Sequence, residues 1–379
     1  MGEVSLADHV GGQLRRLCEV ARTDPAGPLE LLRDLLGSAG PRPLSAPPTW
    51  PSNIADDHTP VEFSLAFNEA EPPTLRILGE TLGTPPGGPA NMSATQRFLD
   101  TQARRAGLST SRLDSVRDLF ATEDPQGAFG LWCSLVFRSG RRPEFKVYLN
   151  PELNGVERAP ALVSEALRRL GLGTSYQAML DHGIRPGELG RRDRLTFFAL
   201  DLLDGPQARV KLYLTHHDAD GWDVIRAASV VDDADPTAIA EFCALAGGGR
   251  SRFDGLPLVG SYTLTEGADR PVGYSIYVPI RGYVDDDEQA RDRVATVLAR
   301  YGFDSTELDR ALDAVAHRPL RDGVGLIPHV SLRLGAPRPG VTVYLSAEAY
   351  QVSPPLRRRV TADGTAVAGP AGRSPAGHP

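Results

Sequence analysis

Apolar positions along this chain follow two periods. Longer stretches repeat at helical spacing and shorter ones at every second residue. The helical stretches fall near 7–20, 29–37, 93–106, 111–120, 156–170, 174–182, 236–246, 285–301 and 305–317. The strand-like stretches come in pairs: 61–67 with 74–79, 129–138 with 144–149, 194–203 with 207–215, 259–265 with 272–280, and 327–334 with 340–346. Ser93-x-x-Gln96 and Asp304-x-x-Glu307 read as capping boxes at two helix starts. The hairpins begin about 65–68 residues apart, which predicts five α-α-β-β units and ten antiparallel strands. Pairing neighbours all round and joining the ends removes both sheet edges. The fold class expected is therefore α/β: a ten-stranded antiparallel β-barrel surrounded by α-helices, roomier than the roughly eight strands that side chains alone can fill. Residues 1–356 are expected to form one such domain, with a Pro-rich loop over 41–60. The segment 357–379 reads as a disordered tail.

The alternation also predicts which face looks inward. In 61–67, Val61, Phe63, Leu65 and Phe67 share one face and Glu62, Ser64 and Ala66 the other. In 207–215, Val210, Leu212 and Leu214 oppose Arg209, Lys211, Tyr213 and Thr215; in 272–280, Ile276, Val278 and Ile280 oppose Ser275 and Tyr277. In the last pair Val330, Leu332 and Leu334 oppose His329, Ser331 and Arg333, and Val341, Val343 and Leu345 oppose Thr342, Tyr344 and Ser346. Helices need an apolar surface to cover, so they take the aliphatic face. The polar and tyrosine face then lines a solvated lumen.

That face is rich in cations. The chain has 41 basic residues, yet only Lys146 and Lys211 are lysines. Each stands two residues before a tyrosine, in Phe-Lys-Val-Tyr-Leu and Val-Lys-Leu-Tyr-Leu. Either pair alone could be a lysine snorkelling from a half-buried strand; two in one frame point to a site. The inward set comprises Arg76, Lys146, Arg209, Lys211 and Arg333, with the phenols of Tyr148, Tyr213, Tyr277 and Tyr344 and the acid Glu62. No acidic partner for the cations is evident on the same faces. They would repel one another unless an anion sat among them. A diphosphate, accepting charge-assisted hydrogen bonds, fits that need. A ring of tyrosines would attract an allylic cation through its π faces and keep water away. Tyr262, Tyr274 and Tyr301 read as ordinary packing.

Composition narrows the classes. A net charge of −7 argues against a nucleic-acid partner. Cys18, Cys133 and Cys243 have no paired spacing, which excludes a disulfide framework and a cysteine zinc site. The opening MGEVSLADHV lacks a basic n-region and an apolar h-region, and Leu6 breaks a myristoylation pattern, so no signal peptide or lipid anchor is expected. With no 18-residue apolar run, a cytoplasmic protein without membrane association is expected. Abundant Arg, Ala, Gly and Pro with so little Lys point to a GC-rich bacterial gene. No metal site is expected. The carboxylate runs Asp232-Asp233-Ala-Asp235 and Asp285-Asp286-Asp287-Glu288 do not form Asp-Asp-x-x-Asp, and the second falls at a helix start, where acids favour the dipole. His216-His217 would point to opposite faces of a strand. Gly247-Gly248-Gly249-Arg250 is not a P-loop, and no Gly-x-Ser-x-Gly elbow occurs.

The chain resembles the dimethylallyl-tryptophan synthase (DMATS) class of indole prenyltransferases, which have the ABBA or PT-barrel fold. The resemblance is carried by Val-Glu-Phe-Ser (61–64), Leu-Arg-Ile (75–77), Phe-Lys-Val-Tyr-Leu-Asn-Pro (145–151), Ala-Arg-Val-Lys-Leu-Tyr (208–213), Tyr-Ser-Ile-Tyr-Val-Pro (274–279) and Val-Thr-Val-Tyr-Leu-Ser (341–346). It implies metal-independent transfer of a dimethylallyl group from dimethylallyl diphosphate to an indole, usually that of L-tryptophan, with no cofactor. It implies that Glu62 hydrogen-bonds the indole N–H and that Arg76, Lys146, Arg209 and Lys211 hold diphosphate. Tyr148, Tyr213, Tyr277 and Tyr344 fall on the tyrosine shield. Ser275 stands where the family often has a diphosphate-binding Gln. Some members carry another lysine, implicated as the final base, on the strand before Phe-Lys-Val-Tyr; here that strand reads Gly-Leu-Trp-Cys-Ser-Leu-Val and no third lysine exists.

The expected reaction alkylates a benzenoid carbon, C6 being favoured. The alternatives are indole N1 or another ring carbon, a phenol or tyrosine, an indole-containing cyclic dipeptide, or a non-catalytic binder of a phosphorylated ligand.

Overall fold

The computed structural model describes residues 3–68, 72–232, 234–335 and 339–356. The expected tail, 357–379, lies outside the described residues, as does Asp233. Ten strands form the barrel: β1 (Val61–Phe67), β2 (Thr74–Gly79), β3 (Leu131–Phe137), β4 (Glu144–Leu149), β5 (Asp193–Asp201), β6 (Val210–His216), β7 (Leu258–Leu264), β8 (Gly273–Val278), β9 (Val330–Arg333) and β10 (Gly340–Ser346). Each strand pairs antiparallel with its neighbours in sequence, and β1 pairs with β10 to close the ring. Glu62 of β1 lies opposite Ser346 of β10 and Leu78 of β2.

Two helices precede each hairpin: α1 (Leu6–Val20) and α2 (Ala26–Leu36), α3 (Gly88–Ala106) and the short α4 (Ser111–Asp114), α5 (Ala159–Arg169) and α6 (Gly173–Gly183), α7 (Gly221–Ala228) and α8 (Pro236–Gly247), and α9 (Asp287–Arg300) and α10 (Thr306–Val315). The sequence pattern misses α7, which has only eight residues, too few to establish a helical period. The two predicted capping boxes are also corrected. Ser93 lies inside α3, where its hydroxyl donates to the Pro89 carbonyl, and Ser305 rather than Asp304 is the residue before α10. Capping boxes do occur at Ser5/Asp8 and Asp220/Asp223.

The aliphatic strand faces meet the helices, as their alternation predicts. Val61, Phe63 and Leu65 of β1 and Val210, Leu212 and Leu214 of β6 join the apolar stripes of the helices in one buried cluster. Tyr262 and Tyr274 belong to this outer shell and not to the lumen; the Tyr262 hydroxyl donates to the Ala227 carbonyl at 3.2 Å, and that of Tyr301 to Ala238 at 2.9 Å. Gly260 of β7 has no side chain because the Tyr274 hydroxyl occupies the place a Cβ would take.

Below β5 and β6 the outer shell contains an ionic knot. The side chains of Arg185 and Asp193 are fully buried and 2.9 Å apart, and His216 Nδ1 lies 2.8 Å from Asp193. Arg185 also donates to the carbonyl of His217 at 2.6 Å and pairs with Asp223. His216 is thus a structural partner of Asp193.

Candidate active site

The lumen-facing side chains converge in a cavity of about 90 Å³, lined by the cations Arg76, Arg138, Lys146, Arg209, Lys211 and Arg333 and by the tyrosines Tyr148, Tyr213, Tyr277 and Tyr344. Strand geometry explains the arrangement. On β4 and β6 a lysine and a tyrosine stand two residues apart, so both face inward, with the tyrosine roughly 6–7 Å further along. Ser275, 4% exposed, pairs in register with Arg333. Arg76 Nε is buried and has no hydrogen-bond partner among the described residues.

The expectation of cations without an acidic partner is overturned by Asp201. This residue ends β5, lines the same cavity, and pairs in register with Lys146. Its carboxylate lies 2.8 Å from Lys146 Nζ and 2.7 Å from Arg209 Nε. Burial acts to raise the Asp201 pKa, but Lys146 and Arg209 outweigh it and hold the carboxyl at about 2. The lysines respond differently. Burial, with Arg209 and Arg76 nearby, brings Lys146 down to about 8 against the attraction of Asp201. Burial drives Lys211 further, well below its ordinary value, with Lys146, Arg209 and Arg76 adding to the effect. An arriving anion would reverse these shifts by supplying the countercharge the cluster lacks.

The four tyrosines form a continuous band. Ring centres lie 5.9 Å apart for Tyr148–Tyr213, 5.8 Å for Tyr213–Tyr277 and 6.1 Å for Tyr277–Tyr344. Burial pushes the Tyr148 phenol up to about 12 and those of Tyr213 and Tyr344 well above their ordinary value, so these rings are neutral at physiological pH. A second aromatic group, unforeseen from the sequence, adjoins the band. Phe129 stacks on Trp132 at 3.8 Å, and Phe197 packs edge-on against Tyr148 and Tyr213. Phe129, Trp132 and Phe197 form one buried cluster with Tyr213, Tyr277 and Tyr344.

Glu62 does not line the cavity. It is 2% exposed on β1, near enough to Tyr344 to oppose ionisation of that phenol. Burial raises its own carboxyl well above the ordinary range; Arg281 opposes this and Asp56 adds to it. Asp56 holds Arg281 through two contacts of 2.6 and 3.2 Å. Among the described residues no group of three or more His, Cys, Asp or Glu side chains is arranged to hold a metal ion. In the second acidic run, Asp286 caps α9, while fully buried Asp287 accepts from the backbone of Gly325, Leu326 and Ile327 and pairs with Arg318. No helix among the described residues is long and apolar enough to cross a membrane.

A cationic cluster opening onto a tyrosine band inside a ten-stranded barrel has counterparts among known proteins. Residues 29–311 match the family model described as tryptophan dimethylallyltransferase. The chain belongs to the tryptophan dimethylallyltransferase family. It is 77% identical to a structure named 6-dimethylallyl tryptophan synthase, with a TM-score of 0.91, covering 93% of this chain and 99% of that one. A 6-dimethylallyltryptophan synthase from Micromonospora olivasterospora, in complex with DMASPP and Trp, is 78% identical with a TM-score of 0.90, over 93% of this chain and 100% of that one. A 5-dimethylallyl tryptophan synthase from Streptomyces coelicolor, also in complex with DMASPP and Trp, is 39% identical with a TM-score of 0.84, over 94% and 98%. The barrel is thus the PT barrel of a prenyltransferase family with bacterial members, and the protein is an enzyme of that family.

Proposed function

We propose that this tryptophan dimethylallyltransferase moves the dimethylallyl group of dimethylallyl diphosphate to C6 of the indole ring of L-tryptophan, without a metal ion. The observation that carries the reading is the adjacency of the cationic cluster and the four-tyrosine band within one lumen. The high identity to 6-dimethylallyl tryptophan synthases favours C6 over other ring positions.

In this reading Arg76, Lys146, Arg209, Lys211 and Arg333, with the Ser275 hydroxyl, hold the diphosphate. They stabilise it as the C–O bond breaks and the bonding pair leaves with the phosphate oxygen. The allylic cation left behind lies against the faces of Tyr148, Tyr213, Tyr277 and Tyr344. Neutral phenols attract it through their ring quadrupoles and exclude the water that would capture it. Glu62 accepts a hydrogen bond from the indole N–H. That bond orients the ring and strengthens as positive charge develops on the indole when C6 attacks. The C6 proton then leaves, restoring aromaticity, to the diphosphate, a water or Glu62. Lys146 and Lys211, the chain's two lysines, are both committed to the anion end.

The test is a reaction of the protein with dimethylallyl diphosphate and L-tryptophan in excess EDTA, analysed by mass spectrometry and NMR. The reading requires one prenyl group on tryptophan at C6. Absence of product with any indole overturns it, a product only with added magnesium overturns the metal-free mechanism, and substitution elsewhere corrects the ring position.

A further inference from the structure

We propose that Asp201 is a positioning residue of the diphosphate site, a fixed countercharge that holds Lys146 and Arg209 aimed into the lumen before the diphosphate arrives. The inference rests on the reading of this cluster as that site. Strands β4 and β5 and the residue leading into β6 meet at the Asp201 carboxylate. Its Oδ1 takes Lys146 of β4 at 2.8 Å and its Oδ2 takes Arg209, just before β6, at 2.7 Å. The backbone closes the same unit: Asp201 N–H donates to the Arg209 carbonyl at 3.1 Å, and Arg209 N–H reaches Asp201 Oδ2 at 3.4 Å. The Asp201 side chain is 6% exposed, against 18% for Lys146 and 39% for Arg209, so the anion is the buried anchor and the cations are its more accessible arms.

The charge balance gives the carboxylate a purpose. Of the described charged residues lining the cavity, six are cations and Asp201 is the acid. Arg138 pairs with Glu144 at the cavity's edge. Arg76 from β2 and Lys211 from β6 also act on Lys146 or its neighbours, and Arg112 of α4 feels Asp201 from outside the barrel. Without Asp201, Lys146 would face only cations in a buried place. It would lose its proton more readily, and its long chain would have no anchor in the unliganded lumen. With Asp201, Lys146 and Arg209 are already oriented, and diphosphate pays less of the ordering entropy. Asp201 needs no displacement: each cation has further donors to offer.

The test compares Asp201→Asn with the wild type in steady-state assays against dimethylallyl diphosphate and against L-tryptophan, at pH 6 and pH 8. Asn keeps the shape and one acceptor oxygen but removes the charge. Expected at pH 8 is a KM for dimethylallyl diphosphate raised about tenfold or more, corresponding to a charge-assisted hydrogen bond. At pH 6, where more of Lys146 is protonated than at pH 8, the increase should be no larger, while the KM for tryptophan stays within about twofold at both pH values. An unchanged or lowered KM for dimethylallyl diphosphate at pH 8, or an equal rise in the KM for both substrates, overturns the proposal; the lowered value would mark Asp201 as merely repelling the anion. Should Asp201→Asn not fold, Asp201→Glu supplies the measurement. The charge is kept, so the pH 6 to pH 8 change in KM must match the wild type; a steeper change overturns the proposal. Wild-type turnover in the same assays tests the underlying reading separately.

Discussion

Tyr148 of β4 and Tyr213 of β6 meet across the intervening strand β5, 5.9 Å between ring centres and 46° between planes, each two residues past one of the chain's two lysines. The arrangement ties an anion-holding group and a cation-facing ring to the same strand, so one hairpin register sets both. Replacing Tyr213 by Phe retains the ring face and should lower kcat by no more than about fivefold. Replacing it by Leu removes a desolvated cation–π contact of about 2 kcal/mol and should slow turnover roughly thirtyfold. The ratio of dimethylallyl alcohol to prenyltryptophan, read by chromatography, should rise for Leu and not for Phe.

Lys211→Met deletes a charge at the anion end without touching the outer shell. A charge-assisted hydrogen bond contributes about 1.5–3 kcal/mol, so kcat/KM for dimethylallyl diphosphate should fall roughly 10- to 150-fold. The neighbour Val210 points the other way, into the helices. Val210→Ile should lower the melting temperature through overpacking of about 1–3 kcal/mol while leaving kcat/KM within about threefold. Equal kinetic effects of the two substitutions would contradict the inside-out assignment of the strand faces.

The pH dependence of substrate capture follows from Lys146, which burial brings down to about 8. The protonated lysines bind the anion, so kcat/KM for dimethylallyl diphosphate should decline as pH rises through the depressed values of Lys211 and Lys146. Bound diphosphate favours the charged lysine, so the alkaline limb of kcat should lie at higher pH than that of kcat/KM. A pH–rate series for both parameters distinguishes the two limbs.

Glu62 gives the opposite limb. Burial holds its carboxyl well above the ordinary range, and the ionised form is the stronger acceptor for an indole N–H. The kcat/KM for tryptophan should therefore rise with pH as Glu62 ionises. In Glu62→Gln that rise should vanish, with a plateau roughly 10- to 150-fold lower. An acid limb retained in Glu62→Gln would assign it to another group.

The Arg185–Asp193–His216 knot should matter for stability and not for chemistry. Asp193 is held below the ordinary aspartate range: burial opposes this, and His216 and Arg185 overcome it. Its contribution is present at neutral pH and is lost as pH falls through that depressed value. Asp193→Asn leaves Arg185 buried without its main partner, which should cost about 3–5 kcal/mol of unfolding free energy, measured in denaturant at pH 7. Turnover of the folded fraction should stay within about twofold.

Much of the barrel and of its lining was readable from alternation. The apolar faces of β1, β6, β8 and β10 are strict enough that inward tyrosines and cations could be named by counting in twos. Asp201 escaped because β5 carries apolar residues on both faces, Phe197 and Ala199 against Phe198 and Leu200, so no inward face stands out. A register shift between Leu195 and Phe197 also breaks the period within that strand. Phe129 and Trp132 were hidden for a related reason: aromatic residues at the start of an apolar strand look the same whether they face helix or lumen. Arg281, which sets the field around Glu62, sits in a short turn after β8 where periodicity carries no information.

The seam between β1 and β10 gives the enzyme a particular order of completion. Glu62 lies beside Ser346, so its pocket cannot exist until the final hairpin has been synthesised and has closed over the first. Until then the growing chain bears two open strand edges and a half-built trough of like charges. Closing so long a loop is slow relative to forming local hairpins. The helices packed on the outer face therefore have to stabilise a partial sheet during translation, and Arg333 of β9 joins the cations of β2 to β6 only at the last step.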